Sequence, residues 1–323
     1  MFGTDNLRPF MRTDGEESSC PVQDCATRVP VQRKTFAATE EFLCPVHRIY
    51  IDQTTFEYQN EEDNFLWNSD AERAHLVAAR KLKRESRMNR ERSEDALSWN
   101  VFRHLEVSGV LSDWVSSVTG QDGSAAGAQV HFWSCDSSTG ETWKPLADAR
   151  KAFSERDNKG SEPDLIITTG DTDIWVEAKF GSTNKTRPSD PDGARDRYTS
   201  GGDGWYEKAF KSDFTTVAVE RQRYELLRLW LLGSWAAEQR GKRFELVNLV
   251  REGCEEDAPA FVAEHMRPTQ SRRFHRATWE GLSDLISSMP IRTADDETLL
   301  GYMRTKTLGY NSAGRLVHAF ARP

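Results

Sequence analysis

The sequence predicts an α/β protein with a small metal-binding module at its N-terminus. Between about residues 70 and 254, helical and strand-like hydrophobic patterns alternate along the chain. Three of the five cysteines lie before residue 50, together with short β-like pieces such as "HRIYID" and "TTFEYQ". A chain of 323 residues can form one sizeable core and a smaller appended module.

The α/β part begins with a helix over 93–105, in which Leu97, Val101 and Leu105 form an apolar stripe. Three strands follow ("VHFWSC", "DLIITT" and "IWVEAKF"), then a helix over 217–239 and a strand "FELVNLV". A further strand and helix are predicted in "RFHRATWEGLSDLISSM", and a last helix in "TADDETLLGYMRTKTL". We therefore predict a mixed central sheet flanked by helices.

Composition indicates an ordinary soluble protein. The most apolar run, "LLRLWLLGSWAA", is interrupted by Arg228 and is too short to span a bilayer. The first residues lack the basic-then-apolar pattern of a signal peptide, so we expect a cytoplasmic protein without a membrane partner. A net charge of -8 disfavours indiscriminate binding to polyanions.

One segment, residues 80–92, is nevertheless strongly basic. It lies in a predicted helix over 70–92 that starts with a capping box. We expect Arg84, Arg87 and Arg90 to contact a nucleic-acid backbone. The alternative is that this run only solvates the surface of the helix.

The N-terminal cysteines are spaced like metal ligands. Cys20 and Cys25 are followed, after a β-like interval, by Cys44 and His47. Two ligand pairs on either side of a short hairpin resemble a zinc ribbon, and three thiolates with one imidazole make a closed structural zinc site. We place this zinc-ribbon-like module at residues 1–62. The alternative is three unrelated buried cysteines and a surface histidine.

Charged residues on two neighbouring strands suggest a second site. The sequence "TGDT" predicts a turn, so the strands around Leu165 and Val176 should form a hairpin. Asp164 then lies opposite the strand end that carries Glu177 and Lys179, which point to one face. Burying these groups is costly unless they pair with one another or hold a cation, and carboxylate oxygens suit magnesium. The alternative is a surface hairpin with ordinary salt bridges.

A third acid, Glu94, lies on the same helical face as Leu97, Val101 and Leu105. It could point towards the strand acids. Alternatively, Glu94 only complements the dipole at the first turn of its helix.

The pattern Pro163-Asp164 and Glu177-Ala178-Lys179, preceded by a helix with Glu94, resembles the PD-(D/E)XK nuclease superfamily. The resemblance covers about residues 93–250 and implies a restriction-endonuclease-like αβββαβ core, here within a nuclease domain over 63–323. It implies that Asp164 and Glu177 bind magnesium or manganese and that Glu94 completes this metal site. Lys179 would orient the attacking water. The next helix would contribute Gln222, with Arg221 or Arg223 as alternatives.

The function implied by this resemblance is a magnesium-dependent deoxyribonuclease acting in restriction, repair, transposition or phage defence. The alternative is a non-catalytic subunit that binds nucleic acid or protein and retains the nuclease fold. Because the sequence has no phosphate-binding loop of an ATPase, any ATP hydrolysis would come from a partner protein. A homo-oligomer, RNA as substrate, and cleavage at ends or at internal sites all stay open.

The segment from residue 181 to 208 has a composition that does not support a core, and we expect it to be partly disordered. Alternatively, it contacts substrate. The side chains available for such contacts are Lys185, Arg187, Arg195 and Arg197, with Trp205 or Tyr206 to stack on a base.

Overall fold

The computed structural model describes residues 6–11, 15–33, 36–83, 86–121, 127–156 and 160–320. The chain divides into two compact units. The first unit consists of residues 1–69, 86–104 and 283–323, and the second of residues 70–85 and 105–282. The first unit therefore combines the beginning and the end of the chain.

Nine helices are found in the described residues: α1 (Asp70–Ala79), α2 (Glu94–Ser108), α3 (Leu111–Thr119), α4 (Lys144–Ala152), α5 (Pro191–Ala209), α6 (Tyr224–Gln239), α7 (Ala258–His265), α8 (Trp279–Ser287) and α9 (Ala294–Thr305). The strands there are β1 (Glu17–Ser19), β2 (Arg28–Pro30), β3 (Leu43–Cys44), β4 (Ile49–Ile51), β5 (Phe56–Tyr58), β6 (Gln129–Phe132), β7 (Cys135–Asp136), β8 (Glu141–Thr142), β9 (Leu165–Thr168), β10 (Thr172–Ala178), β11 (Arg243–Val250), β12 (Arg272–Thr278), β13 (Thr307–Tyr310) and β14 (Leu316–His318).

The second unit is built around a five-stranded mixed sheet in the order β12-β11-β10-β9-β6. Strand β9 pairs antiparallel with both β6 and β10, whereas β10, β11 and β12 are parallel. The predicted hairpin is confirmed: β9 and β10 pair through a tight turn in which Thr169 N donates to Thr172 O (2.9 Å). The predicted order of a helix, three strands, a helix and a strand is also found, with α3, β7, β8, α4 and α5 in addition.

Helices α4, α5 and α6 cover one face of this sheet with a continuous apolar core. Trp175 of β10 packs edge to face on Phe244 of β11, and Phe244 does the same with Trp230 of α6. All three rings are buried. Such aromatic packing needs α6 to approach the sheet closely, and Gly233 of α6 lies at the point of closest approach.

Replacing Gly233 with alanine is therefore expected to destabilise the protein by about 1–3 kcal/mol, the usual cost of overpacking a core. A Cβ atom there would overlap the Phe244 ring and lie 3.0 Å from Trp175 Cδ2. Gly301→Ala is the matched control. It lies in helix α9, where a Cβ atom would meet no described neighbour within 4 Å, so alanine should gain about 0.5–1 kcal/mol. Urea unfolding of both variants tests this, and equal changes would contradict the close approach.

Two helices differ from the predicted ones. The helix predicted over 70–92 ends at Ala79, and its basic continuation forms turns where it is described. The helix predicted over 217–239 is divided, because a π-helical turn (Thr215–Glu220) precedes α6 and Gln222 between them has a φ of +57°. A left-handed residue interrupts regular helical hydrogen bonding.

The segment expected to be partly disordered instead forms helix α5, which is irregular at Gly201–Gly204. Asp190 caps its start by accepting a hydrogen bond from Gly193 N (3.1 Å), and Pro191 occupies the first turn. The apolar side chains of α5 join the core next to α6, including Trp205 and Tyr206, which are 7% and 6% exposed. Neither ring is therefore available to stack on a base.

The first unit joins three separate parts of the sequence. Its N-terminal strands contain a small core that includes Cys20, Cys44 and Ile49. The C-terminal hairpin β13–β14 and helix α9, which starts with a capping box of Thr293 and Asp296, belong to the same unit. Among the described residues, none of the helices has both the length and the apolar composition needed to cross a bilayer.

Hydrogen bonds connect the end of the chain to its beginning within this unit. Lys306 Nζ donates to Asn64 Oδ1 (3.0 Å), and Tyr310 N donates to Thr54 O (2.7 Å). Leu316 N donates to Pro9 O (3.0 Å). The C-terminal segment is therefore bonded to the N-terminal segments of the first unit.

Candidate active site and metal centre

The four predicted zinc ligands come together in the first unit. Cys20, Cys25, Cys44 and His47 place one ligand atom each within 4.8 Å of all the others. His47 Nδ1 lies 3.6 Å from the sulfur atoms of both Cys20 and Cys44, and the sulfur atoms of Cys25 and Cys44 are 3.8 Å apart. The hairpin β3–β4 presents Cys44 and His47, and Cys20 and Cys25 lie on the turn after β1.

These distances fit a tetrahedral metal ion. Zinc bonds of about 2.3 Å to sulfur and about 2.0–2.1 Å to nitrogen give tetrahedral edges of about 3.8 Å between sulfurs and about 3.6 Å between sulfur and nitrogen. Burial raises the pKa of the Cys20 thiol, so a thiolate at this position needs a positive charge beside it. The cluster can therefore hold a metal ion such as zinc.

Asp164 and Glu177 face each other at one end of the β9–β10 hairpin in the second unit. The register of β9 on β10, continued by one residue pair, places them opposite each other. Asp164 Oδ2 accepts a hydrogen bond from Ala178 N (2.8 Å), which fixes its carboxylate against β10. Glu177 points to the same face as Trp175, two residues earlier, which is the face that α6 covers.

Lys179 lies at the same end of the hairpin. Its Nζ donates to Glu177 Oε1 in an ion pair, and its side chain is 15% exposed while that of Glu177 is 3% exposed. Lys179 N donates to Leu249 O of β11 (2.8 Å), and its carbonyl accepts from Trp279 Nε1 (3.2 Å). The backbone on both sides of the lysine is thus fixed. We call Asp164, Glu177 and Lys179 the strand site.

The strand site has an excess of negative charge. Burial raises the pKa of Glu177 well above its usual range; Lys179 partly opposes this shift, while the charges of Asp164 and Glu225 add to it. Further positive charge beside Glu177 would favour its ionised form. Magnesium commonly takes one or two protein carboxylates and completes its coordination with water and phosphate, so Asp164 and Glu177 fit such an ion.

Two residues near Glu177 did not stand out in the sequence. Glu225, in the first turn of α6, is close enough to act on Glu177 through its charge. Asn248 of β11 is in register with Glu177 and fully buried, and its Oδ1 accepts from Asn184 Nδ2 (2.8 Å). A buried amide in a strand could have been noticed, since Asn is depleted in strands. Glu225 could have been found from its place at a helix N-terminus.

Gln222 is not on a helix, contrary to the prediction. It lies in the break before α6 and lines a cleft with Lys185, Arg221 and Arg223. Both alternatives to it, Arg221 and Arg223, already have carboxylate partners. Arg223 is buried and pairs with Glu255 and Asp257 (2.8 Å to the latter), and Arg221 lies 3.5 Å from Glu264. A catalytic role for Gln222 stays a prediction.

Glu94 is the first residue of α2, and Leu97, Val101 and Leu105 are fully buried as the helical stripe predicted. Ser93 caps the helix by accepting from Ala96 N (3.1 Å). Glu94 is half-buried and belongs to the first unit, whereas the strand site belongs to the second. Its participation in metal binding stays a prediction.

The predicted phosphate-contacting arginines have different environments. Arg90 donates to the buried Glu57 carboxylate, which also accepts from Asn89 Nδ2 (3.1 Å), so its guanidinium serves the first unit internally. Arg87 is exposed. Arg84 lies outside the described residues. Of the two arginines that are described, Arg90 is engaged within the protein, and Arg87 stays a candidate for contacting phosphate.

The described residues thus contain two sites with different chemistry. The Cys/His cluster is closed and rich in sulfur, as structural zinc sites are. The strand site has two carboxylates and a lysine, and carboxylate oxygens are the ligands that hard cations such as magnesium take. Comparison of the chain with protein-family models, with curated proteins and with solved structures finds no match in any of the three.

Proposed function

We propose that the protein is a divalent-metal-dependent nuclease of PD-(D/E)XK type that hydrolyses phosphodiester bonds, with DNA as its favoured substrate. The observation that carries the proposal is the strand site: Asp164 and Glu177 face each other across a hairpin, with Lys179 beside Glu177. Strands β6, β9 and β10 are antiparallel, and β11 is parallel to β10. This arrangement is consistent with a restriction-endonuclease-like core.

The residues of the strand site have distinct tasks in this proposal. Asp164 and Glu177 hold magnesium or manganese, which supplies positive charge to the phosphoryl transition state and makes water more acidic. The Lys179 ammonium has three donors, so it can bond Glu177 and also orient the attacking water. As charge develops on the phosphate oxygens, the same ammonium offsets part of it.

The Cys/His cluster has a structural task in this proposal. Four ligands from the protein fill a tetrahedral zinc site and leave no open position for substrate. Zinc there would stabilise the fold of a region whose apolar core is small. Metal-dependent hydrolysis is therefore assigned to the strand site alone.

The alternative is a non-catalytic subunit that binds nucleic acid or protein. The Lys179–Glu177 ion pair argues for catalysis, because a binding scaffold has no need of a lysine paired with a buried acid at a strand end. A protein partner that supplies ATP hydrolysis is compatible with both functions.

The test is to incubate the purified protein with single-stranded and double-stranded DNA and RNA. Magnesium, manganese and calcium are added separately, and EDTA is the metal-free control. We expect cleavage of DNA with magnesium or manganese and none with EDTA. Tight binding without cleavage on every substrate and with every metal would favour the non-catalytic subunit.

A further inference from the structure

A concave pocket of about 340 Å³ lies beside the start of α6 in the second unit. Its lining is unusually basic, with four arginines that come from three separate parts of the chain. The lining includes Arg156, Arg187, Arg197, Arg228, Asp190 and Tyr224. We call this site the arginine pocket.

Part of the positive charge in the arginine pocket has no carboxylate partner among the described residues. In the part of the chain that the structure describes, Arg187 and Arg197 form no ion pair, and Arg197 only stacks over the Tyr198 ring (5.8 Å). Asp190 is the one carboxylate among the described lining residues, and it already caps α5. Like charges held together in a concave site repel one another, so the pocket favours an anion.

A buried network fixes the inner wall of the pocket. Arg228 donates through Nε and Nη2 to Glu155 Oε1 (3.2 and 3.1 Å). Glu155 is buried and also accepts from Tyr198 OH (2.7 Å) and from Ser161 N and Oγ (2.6 and 2.7 Å). These bonds leave little freedom to the Arg228 side chain, which is 12% exposed. A preorganised guanidinium loses less entropy when it binds an anion.

The arginine pocket is next to the strand site along α6. Tyr224 lines the pocket, and the following residue, Glu225, is the one whose charge acts on Glu177. Thr186, which precedes Arg187, accepts a hydrogen bond from Glu225 N (2.9 Å). The same helix start therefore carries one wall of the pocket and one neighbour of the strand acids.

We propose that the arginine pocket binds one phosphate group of the nucleic-acid substrate, close to the bond that is cut. The proposal rests on the proposed nuclease function. Guanidinium groups match phosphate oxygens in paired hydrogen bonds, and several of them around one anion give stronger binding than lysines on an open surface. The pocket is larger than one phosphate, which leaves space for the attached sugar.

The test is a binding measurement without cleavage. Oligonucleotides labelled at the 3′ end, with either a 5′-phosphate or a 5′-hydroxyl, are titrated in calcium by fluorescence anisotropy at several salt concentrations. We expect the double variant Arg187→Gln/Arg197→Gln to bind about 10-fold to 100-fold more weakly than wild type. The slope of log K against log salt should fall by about 0.7–0.9, the value for one phosphate.

The matched control is Arg195→Gln, on the same helix as Arg197 but paired with Asp192 (3.1 Å) and outside the pocket lining. It should bind like wild type. If the pocket holds a terminal phosphate, the double variant loses the preference for the 5′-phosphate; if it holds an internal one, both oligonucleotides lose affinity equally. Unchanged affinity and salt slope in the double variant, or a wild type that binds neither oligonucleotide, would overturn the proposal.

The binding assay separates this inference from the nuclease proposal. If the wild type cleaves nothing and the double variant loses binding, the phosphate-binding proposal for the pocket stands and the nuclease proposal is wrong. If the wild type cleaves nucleic acid and the double variant binds it normally, the nuclease proposal stands and the phosphate-binding proposal is wrong. Both arginines lie near the surface, so melting curves like that of wild type are expected and serve as the folding control.

Discussion

Replacing Glu177 with glutamine is expected to abolish cleavage, with a loss of at least about 10³-fold in rate. A catalytic metal ion supplies several kcal/mol of transition-state stabilisation, and each 1.4 kcal/mol is a factor of ten. Glu177→Gln removes a ligand charge but keeps the shape of the side chain. The variant should therefore also lose the increase in melting temperature that magnesium or manganese gives to the wild type.

Lys179→Ala separates metal binding from chemistry. It should retain the metal-induced rise in melting temperature and lose about 10²-fold to 10³-fold in cleavage rate, because the lysine acts on water and on the transition state. Asp171→Asn is the control. It lies at the other end of the same hairpin, is exposed, and pairs with Arg243 (2.7 Å). Full cleavage by Glu177→Gln, or equal losses of activity in all three variants, would contradict the assignment of the strand site.

Replacing Cys44 with alanine is expected to remove zinc and to unfold the first unit. Structural zinc contributes about 10 kcal/mol or more of apparent binding energy in isolated zinc fingers, which is comparable with the whole stability of many proteins. Cys44 is fully buried at the end of β3, so its loss also leaves a hole beside Cys20 and Cys25. Elemental analysis should find one zinc per wild-type chain and none in the variant.

Cys254→Ser is the control for this experiment, since Cys254 is partly exposed and lies in the second unit. It should retain zinc and the wild-type pattern of limited proteolysis. In Cys44→Ala, proteolysis should cut within the first unit at lower protease concentration. A wild-type chain without zinc, or a Cys44→Ala protein that keeps one equivalent, would remove the metal centre.

The sequence was most informative where a pattern has one structural solution. Cysteines paired as Cys20/Cys25 and Cys44/His47 have few roles other than metal binding, and their ligand atoms do converge. The β9–β10 hairpin was predictable because turn residues separate two strongly apolar runs. From that hairpin the pairing of Asp164 with Glu177 follows by register alone.

Tertiary packing decided the elements that the sequence did not reveal. Helix α5 contains four glycines and several aspartates, which oppose a helix, yet Ala194 and Tyr198 at a spacing of four bury one face against the core. That spacing, with an Asp-Pro start, was the available signal. The break at Gln222 has no such signal, because its left-handed backbone depends on the π-turn before it. Nothing in the sequence indicated that Arg90 pairs with Glu57, because the two residues are 33 positions apart.

The joining of residues 283–323 to the N-terminal unit sets an order of events during synthesis. Asn64 and Thr54 leave the ribosome long before Lys306 and Tyr310, which donate hydrogen bonds to them. At about 5–20 residues per second, the roughly 250 intervening residues take about 12 to 50 s to translate. During that interval the cysteines are already exposed to the solvent and able to capture zinc. Metal loading would thus precede completion of the unit, and a chain stopped before residue 306 would carry zinc in an unfinished fold.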